Sequence, residues 1–108
     1  MLSIAEIRNC FLGQKVLYSH HARIEMSTEE FGKIFDSEVE EAVNFGEIIE
    51  DYPFDQPYHS VLIFGQTESG RPLHIVSAYD PEKDYAIIVT VYEPDVSRWI
   101  DYKIRRKR

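Results

Sequence analysis

The 108-residue sequence has one cysteine, five glycines and five prolines, and no internal repeat or low-complexity tract. A single cysteine, Cys10, cannot form an internal disulfide or a cysteine-based zinc site. The sequence also lacks a glycine-rich phosphate loop and a GxSxG nucleophile elbow. These absences exclude a disulfide-stapled scaffold and argue against P-loop and serine-hydrolase chemistry.

The N-terminal residues have no basic leader before an apolar run, and their apolar positions are spaced rather than continuous. We therefore expect neither a secretion signal nor a membrane span. A lone cysteine fits a reducing compartment, so we expect a cytoplasmic protein. The length and a hydrophobic content of 44% predict one globular domain over residues 1–108, with an oligomeric state that the sequence leaves open.

Charge is distributed unevenly along the chain. The net charge is −7, yet five of the 12 basic residues lie in a basic tail at residues 101–108. The first 102 residues carry the other seven together with all 19 acidic residues, a balance of −12. We expect such an acidic body to repel polyanions such as RNA. Non-specific binding of a polyanion depends mainly on basic residues that neutralise its phosphates. The tail is either a solvated end or a segment that contacts phosphates or the protein's own acidic surface.

Helical patterns come first in the chain and strand patterns follow. Helix-capping serines precede apolar residues at helical spacing, and these are Ser3, Ser19, Ser27 and Ser37. After Gly46 come short strand candidates at residues 48–49 and 60–66. This order predicts an α+β fold: short N-terminal helices on one face of a roughly four-stranded antiparallel sheet. The spacing of Val96, Trp99 and Ile100 suggests a short C-terminal helix.

Two β-branched and aromatic runs, Leu73–Tyr79 and Tyr85–Tyr92, are separated by five polar or turn-forming residues and predict a β-hairpin. In a symmetric hairpin His74 faces Thr90 across the strands. The face that carries them is apolar in its middle, whereas His74, Thr90 and Tyr92 gather at one end. We therefore expect any chemistry on this hairpin at that polar end.

Histidine can transfer protons near neutral pH, which makes the four histidines the first candidates for chemistry. His74 lies at the polar end of the hairpin, beside Tyr92. His20 and His21 begin a helix, where free backbone amides favour an anion. His59 lies in a loop and is the weakest candidate.

Two arginines, Arg23 and Arg71, are candidates for phosphate binding. Arg71 follows Gly70 at the base of the hairpin, where a guanidinium group could hold a phosphate by two contacts. A salt bridge to a nearby carboxylate is the structural alternative. The carboxylates show no regular ligand spacing with a histidine, so we predict no metal and no cofactor.

Several short motifs occur together in a characteristic order between about residues 19 and 94. They are Ser19-His20-His21-Ala22-Arg23, Val39-Glu40-Glu41-Ala42, Gly46-Glu47-Ile48-Ile49, Gly65, Gly70-Arg71-Pro72-Leu73-His74 and Val89-Thr90-Val91-Tyr92. With these motifs the chain resembles the domain-of-unknown-function family 4258. That family is similar in fold to barnase, the EndoU nucleases, the colicin tRNases and the RelE toxins. Some members resemble toxins encoded beside a zinc-finger antitoxin.

The resemblance implies metal-independent cleavage of RNA, in which the 2′-hydroxyl attacks the adjacent phosphate and leaves a 2′,3′-cyclic phosphate. Carried onto this sequence, His20 or His21 and His74 would be the proton-transfer groups. Arg23 and Arg71 would hold the phosphate, and Tyr92 would orient a neighbouring group. The implied partners are an RNA substrate and a zinc-finger antitoxin-like protein.

The sequence is also compatible with two other functions. A non-catalytic module that binds another protein needs no convergence of these side chains and should expose a sizeable apolar patch. A metal-assisted hydrolase would need an ion bound by His20, His21 and a carboxylate. A nuclease requires His74, Arg71 and a helix-start histidine to lie within hydrogen-bond reach of one substrate.

Overall fold

The computed structural model describes residues 2–107, and Met1 and Arg108, the last residue of the predicted basic tail, lie outside that part. Within it, three helices and seven strands follow one another along the chain. The helices are α1 (Ile4–Leu12), α2 (His20–Thr28) and α3 (Asp36–Asn44). The strands are β1 (Val16–Tyr18), β2 (Glu47–Tyr52), β3 (Ser60–Gln66), β4 (Pro72–Asp80), β5 (Tyr85–Tyr92), β6 (Trp99–Ile100) and β7 (Ile104–Arg105).

Five strands form one mixed sheet in the order β1-β5-β4-β3-β2. Strands β2 to β5 are antiparallel neighbours, whereas β1 runs parallel to β5 and pairs with Ala86–Ile88. The predicted α+β class with helices on one side is confirmed. The prediction of four antiparallel strands was incomplete, because the short segment after α1 uses the free backbone groups on the outer edge of β5.

The hydrophobic core lies between the helices and one face of the sheet. Alternate residues of a strand point to the same face, so β3, β4 and β5 each contribute every second side chain to this core. The fully buried strand residues of this core include Val61, Ile63, Leu73, Ile75, Ala86, Ile88 and Val91, and the helices cover them with side chains such as Ile7, Ala22, Val39 and Val43. Cys10 is buried in the same core, where it packs as a small apolar side chain.

Helix α2 protects the edge of β5 beyond the short strand β1. The side chain of Glu25 accepts a hydrogen bond from the Val91 amide at 3.1 Å, and Glu29 accepts one from the Glu93 amide at 3.3 Å. These carboxylates satisfy backbone donors that a sixth strand would otherwise pair. The edge is therefore closed to a further strand by side chains of the neighbouring helix.

The loop after α2 replaces a helix that the sequence predicts after Ser27. The hydroxyls of Ser27 and Thr28 both bond back to the Ile24 carbonyl, so they end α2 rather than cap a new helix. Gly32 then adopts a φ of 113°, which is outside the helical range. The apolar residues at helical spacing around it therefore do not form a helix.

The predicted C-terminal helix is wrong, since residues 99–105 form a β-hairpin instead. Trp99 pairs with Arg105 and Ile100 pairs with Ile104. The turn depends on Asp101 and Tyr102, which have φ values of 51° and 63° and so match the twist that a tight hairpin needs. This segment, which we call the C-terminal hairpin, lies on the face of the sheet that the helices leave open.

Candidate functional site

His74 lies on the open face of the sheet and is fully buried. Its cross-strand partner is Tyr92, rather than Thr90 as the symmetric hairpin predicts. The imidazole Nδ1 lies 3.0 Å from the Tyr92 hydroxyl, and Nε2 lies 2.5 Å from the Tyr102 backbone carbonyl. Both ring nitrogens of His74 are therefore occupied within the chain.

These two partners determine the tautomer of neutral His74, and burial favours the neutral form. A carbonyl oxygen can only accept, so Nε2 carries the hydrogen and Nδ1 accepts from the Tyr92 hydroxyl when the ring is neutral. Burial lowers the pKa of His74, and the Arg105 charge adds to this effect against the opposing influence of Tyr102 and Glu50. Burial also raises the pKa of Tyr92 to about 12, which keeps its hydroxyl protonated as a donor.

The C-terminal hairpin covers His74 with aromatic side chains. The Trp99 ring meets the imidazole edge to face, with 4.4 Å between ring centroids and an angle of 89°. Tyr102 stacks on Phe64 of β3 at 5.7 Å. His74 therefore has no access to solvent while the hairpin is in this position.

A carboxylate, a phenol and a guanidinium group meet beside this pair on the same face. Arg105 donates to both oxygens of Glu50, at 2.9 and 3.1 Å, and the Tyr52 hydroxyl donates to Glu50 as well. Burial raises the pKa of Glu50, but these hydrogen bonds outweigh it and lower the pKa overall. The Arg105 guanidinium lies 4.7 Å from the Trp99 ring, which connects this group to His74.

Arg71 lies away from His74 and forms contacts on the helix side of the sheet. Its Nε donates to Glu93 at 2.7 Å and its Nη1 lies 3.3 Å from Glu38 of α3. The same guanidinium donates to the backbone carbonyls of Gly32 and Lys33. The structure thus shows the salt-bridge alternative for Arg71.

The other predicted residues lie along α2, on the face of the sheet opposite His74. His21 is exposed and its Nε2 lies 3.4 Å from Glu25, while Arg23 forms a bidentate pair with Asp36. His20 begins α2 beside Ser19, which donates to the Val89 carbonyl. Of the six predicted site residues, the structure brings together only His74 and Tyr92.

Sequence reasoning missed Glu50, Tyr52 and Arg105. The sequence does contain a signal for Glu50 and Tyr52. They alternate with the exposed Asp51, as residues on one face of a strand do. The strand prediction ended at Ile49, which hid that alternation. No local signal indicates that Arg105 pairs with a residue 55 positions earlier.

A comparison with protein families identifies this region. Residues 18–93 match the family described as Domain of unknown function (DUF4258). The chain belongs to this family. The matched residues of the family include His74 and Tyr92, whereas α1 and the C-terminal hairpin lie outside the match. No curated protein and no solved structure matches the chain.

Two further properties of residues 2–107 concern membranes and metal ions. None of the helices there is long and apolar enough to cross a membrane. No group of three or more histidine, cysteine, aspartate or glutamate side chains is arranged to hold a metal ion in the same residues.

The burial of His74 predicts a pH-dependent stability. The folded pKa lies below the ordinary 6.5, so between the two values the unfolded chain takes up a proton that the folded chain does not. Stability should therefore fall as the pH drops below 6.5, by at most about 1.4 kcal/mol for each pH unit. Urea unfolding at neutral pH and near pH 5 measures this loss.

The matched variant for this prediction is His74→Gln, which keeps a polar side chain and does not titrate. The neighbouring groups Glu50, Arg105, Tyr92 and Tyr102 are the same in both proteins, so the difference in pH dependence between them isolates the titration of the imidazole. An identical pH dependence in both proteins would contradict the assignment of a neutral, buried His74.

Proposed function

We propose that this protein cleaves RNA without a metal ion at the open face of its sheet. The observation that supports the proposal is the grouping there of an imidazole, a carboxylate, a phenol and a guanidinium, from His74, Glu50, Tyr52 and Arg105. These are the group types that proton transfer and charge stabilisation at a phosphate require. The same chemistry is what the family resemblance implies through its similarity to the barnase, EndoU, colicin and RelE fold.

The proposed reaction begins when the C-terminal hairpin moves and Tyr102 releases Nε2 of His74. The ring then takes its other tautomer, with Nδ1 donating to the Tyr92 oxygen and Nε2 free to accept the proton of the 2′-hydroxyl. The 2′-oxygen bonds to phosphorus as the 5′-oxygen leaves with a proton from Tyr52. The proton that His74 has gained then passes through solvent to the Tyr52 phenolate, which restores both groups. Arg105 stabilises the charge on the phosphate. The products are a 2′,3′-cyclic phosphate and a 5′-hydroxyl.

This scheme changes the roles that the resemblance implied. His74 remains the proton-transfer group and Tyr92 the orienting hydroxyl. His20, His21, Arg23 and Arg71 have no part in it, because they lie on α2 or on the helix side of the sheet. A partner of the zinc-finger antitoxin type would restrain the activity.

The test is incubation of the purified protein with RNA in excess chelator, followed by detection of cyclic-phosphate ends. We expect cleavage by the wild type and a rate lower by about 100-fold or more in His74→Gln. The matched control is His59→Gln, since His59 pairs with Asp51 outside this group, and we expect its rate within about twofold of the wild type.

A further variant tests whether the hairpin limits access. Trp99→Ala removes the ring that covers His74, so we expect it to cleave faster than the wild type. Absence of cleavage in both the wild type and Trp99→Ala would overturn the proposal. A requirement for a metal ion would do the same.

The second candidate function is a non-catalytic module that binds another protein. Complete burial of His74 favours it, as does the exposure of large apolar side chains on α2 and the loop after it. Ile24, Phe31 and Phe35 are between 47% and 56% exposed. The cleavage assay separates the two functions, because a binding module leaves RNA intact in every variant.

A further inference from the structure

A cleft lies between the end of β5 and the C-terminal hairpin, next to the pair of His74 and Tyr92. Its volume is about 480 Å³, which is within the range of about 300–1,000 Å³ found for ligand sites. The lining residues are Tyr92, Glu93, Asp95, Ser97, Arg98, Trp99, Arg105, Arg106 and Lys107. Only the first two of these lie within the residues that match the family.

Positive charge dominates this cleft although the protein as a whole is acidic. Four of the lining residues are basic and two are acidic. Glu93 is already paired with Arg71, and Asp95 accepts a hydrogen bond from the Ser97 amide. Among residues 2–107, Arg98, Arg106 and Lys107 form no salt bridge. None of the three therefore has a described carboxylate within salt-bridge distance, although hydrogen bonds from Ser97 and, to a lesser extent, the charge of Arg98 lower the pKa of Asp95.

Two of these cations, Arg98 and Arg106, lie at opposite positions of the two hairpin strands. The Arg106 amide donates to the Arg98 carbonyl at 2.8 Å, which continues the hairpin ladder beyond the pair of Trp99 and Arg105. Arg98 and Arg106 are therefore direct cross-strand neighbours. Like charges in this position destabilise a hairpin, and an anion bound between them would remove the repulsion.

We propose that this cleft binds the phosphodiester backbone of single-stranded RNA. Arg98 and Arg106 hold one phosphate between them, and Lys107 and Arg105 contact its neighbours. The choice of RNA rests on the function proposed above, since the cleft ends at Tyr92, whose hydroxyl contacts His74. The acidic body repels RNA elsewhere, so the cleft also sets where the strand lies.

An RNA backbone in the cleft would also act on the C-terminal hairpin. Arg105 lines the cleft while it donates to Glu50, so a phosphate competes with that carboxylate for the same guanidinium. The pair of Arg105 and Glu50, with that of Lys103 and Glu47, fastens the hairpin to β2. Occupation of the cleft therefore weakens one of the contacts that keep His74 covered.

The experiment measures binding of a fluorescent single-stranded oligoribonucleotide with 2′-O-methyl sugars, which the proposed reaction cannot cleave. Fluorescence anisotropy is followed in chelator across a salt titration. The double variant Arg98→Gln, Arg106→Gln should bind about tenfold or more weakly, and the slope of log affinity against log salt should fall by about 1.4. Its thermal stability should equal or exceed that of the wild type, because a like-charge contact is removed.

The matched control is the double variant Lys15→Gln, Lys83→Gln, which makes the same change in net charge near the turn between β4 and β5. We expect its affinity within about twofold of the wild type. Absence of oligonucleotide binding, or equal affinity in the two double variants, would overturn the inference.

The binding experiment and the cleavage assay can fail independently, so failure of the binding site can be told apart from failure of the proposed reaction. Binding that depends on Arg98 and Arg106 without any cleavage would remove the proposed reaction and keep the site. Cleavage with binding indifferent to these arginines would keep the reaction and remove the site.

Discussion

The Gly65→Ala variant is expected to lose about 3 kcal/mol or more of folding free energy. A Cβ atom built on Gly65 lies 1.9 Å from the Ala42 carbonyl oxygen and 2.6 Å from the carbonyl carbon. Both atoms belong to the backbone of α3, so no side-chain rotation can relieve the clash. Helix α3 would have to move away from β3, which would open the core around Val39 and Val43.

Urea unfolding of the purified variant measures this loss, and Gly13→Ala is the matched control. Gly13 follows α1 with a φ of −85°, and an added Cβ would have an ordinary contact of 3.5 Å with the Asn9 carbonyl oxygen. We expect Gly13→Ala to change stability by less than about 0.5 kcal/mol. Equal losses in the two variants would mean that α3 does not pack against β3 at Gly65 as closely as described.

The β4–β5 hairpin shows which features of the fold the sequence could predict. Its two apolar runs predict both strands because β-branched and aromatic residues are concentrated in them. The register was wrong, because the strands pair as Asp80 with Tyr85 and then shift by one residue between Val76 and Ser77. A symmetric hairpin places Ile87 and Val89 on the helix side, whereas the pairing of Asp80 with Tyr85 puts them on the open face. The later shift then returns Val91 to the helix side, opposite Ile75.

The C-terminal hairpin was not predicted from the sequence, and the reason differs from that for the β4–β5 register. Tight hairpin turns are recognised from glycine or asparagine at positions with positive φ, and here Asp101 and Tyr102 occupy them. Trp99 is buried because it packs on His74, a contact between parts of the chain that are distant in sequence. Helical spacing of Val96, Trp99 and Ile100 was the only local signal, and Val96 is in fact 61% exposed.

The candidate site was predictable only where its residues lie on one hairpin. His74 and Tyr92 belong to adjacent strands of a hairpin that the sequence predicts, so their contact follows once the strands pair. The sequence analysis also placed His74 and Arg71 at one site, which requires both side chains to lie on the same face of the sheet. Arg71 instead turns toward α3 and the preceding loop, because Glu38 and two backbone carbonyls there satisfy its donors.

Replacing Arg71 with glutamine is expected to cost about 2–4 kcal/mol of folding free energy. The guanidinium is only 16% exposed and pairs with Glu93 and Glu38, which are each 20% exposed. Glutamine would leave two half-buried carboxylates without their cation. Glu29 would add to the repulsion, because burial and the nearby charge of Glu93 already raise the pKa of Glu29. Urea unfolding at neutral pH measures the loss.

Arg23→Gln is the matched control, because both arginines were predicted to hold a phosphate and each forms a carboxylate pair. The side chains of Arg23 and Asp36 are 49% and 58% exposed, so water screens their attraction. We expect Arg23→Gln to lose less than about 1 kcal/mol. If the two variants lost similar amounts, Arg71 would not be fastening α3 and the loop before it to the end of β5. Its guanidinium would then be available for the phosphate role that we propose for the C-terminal arginines instead.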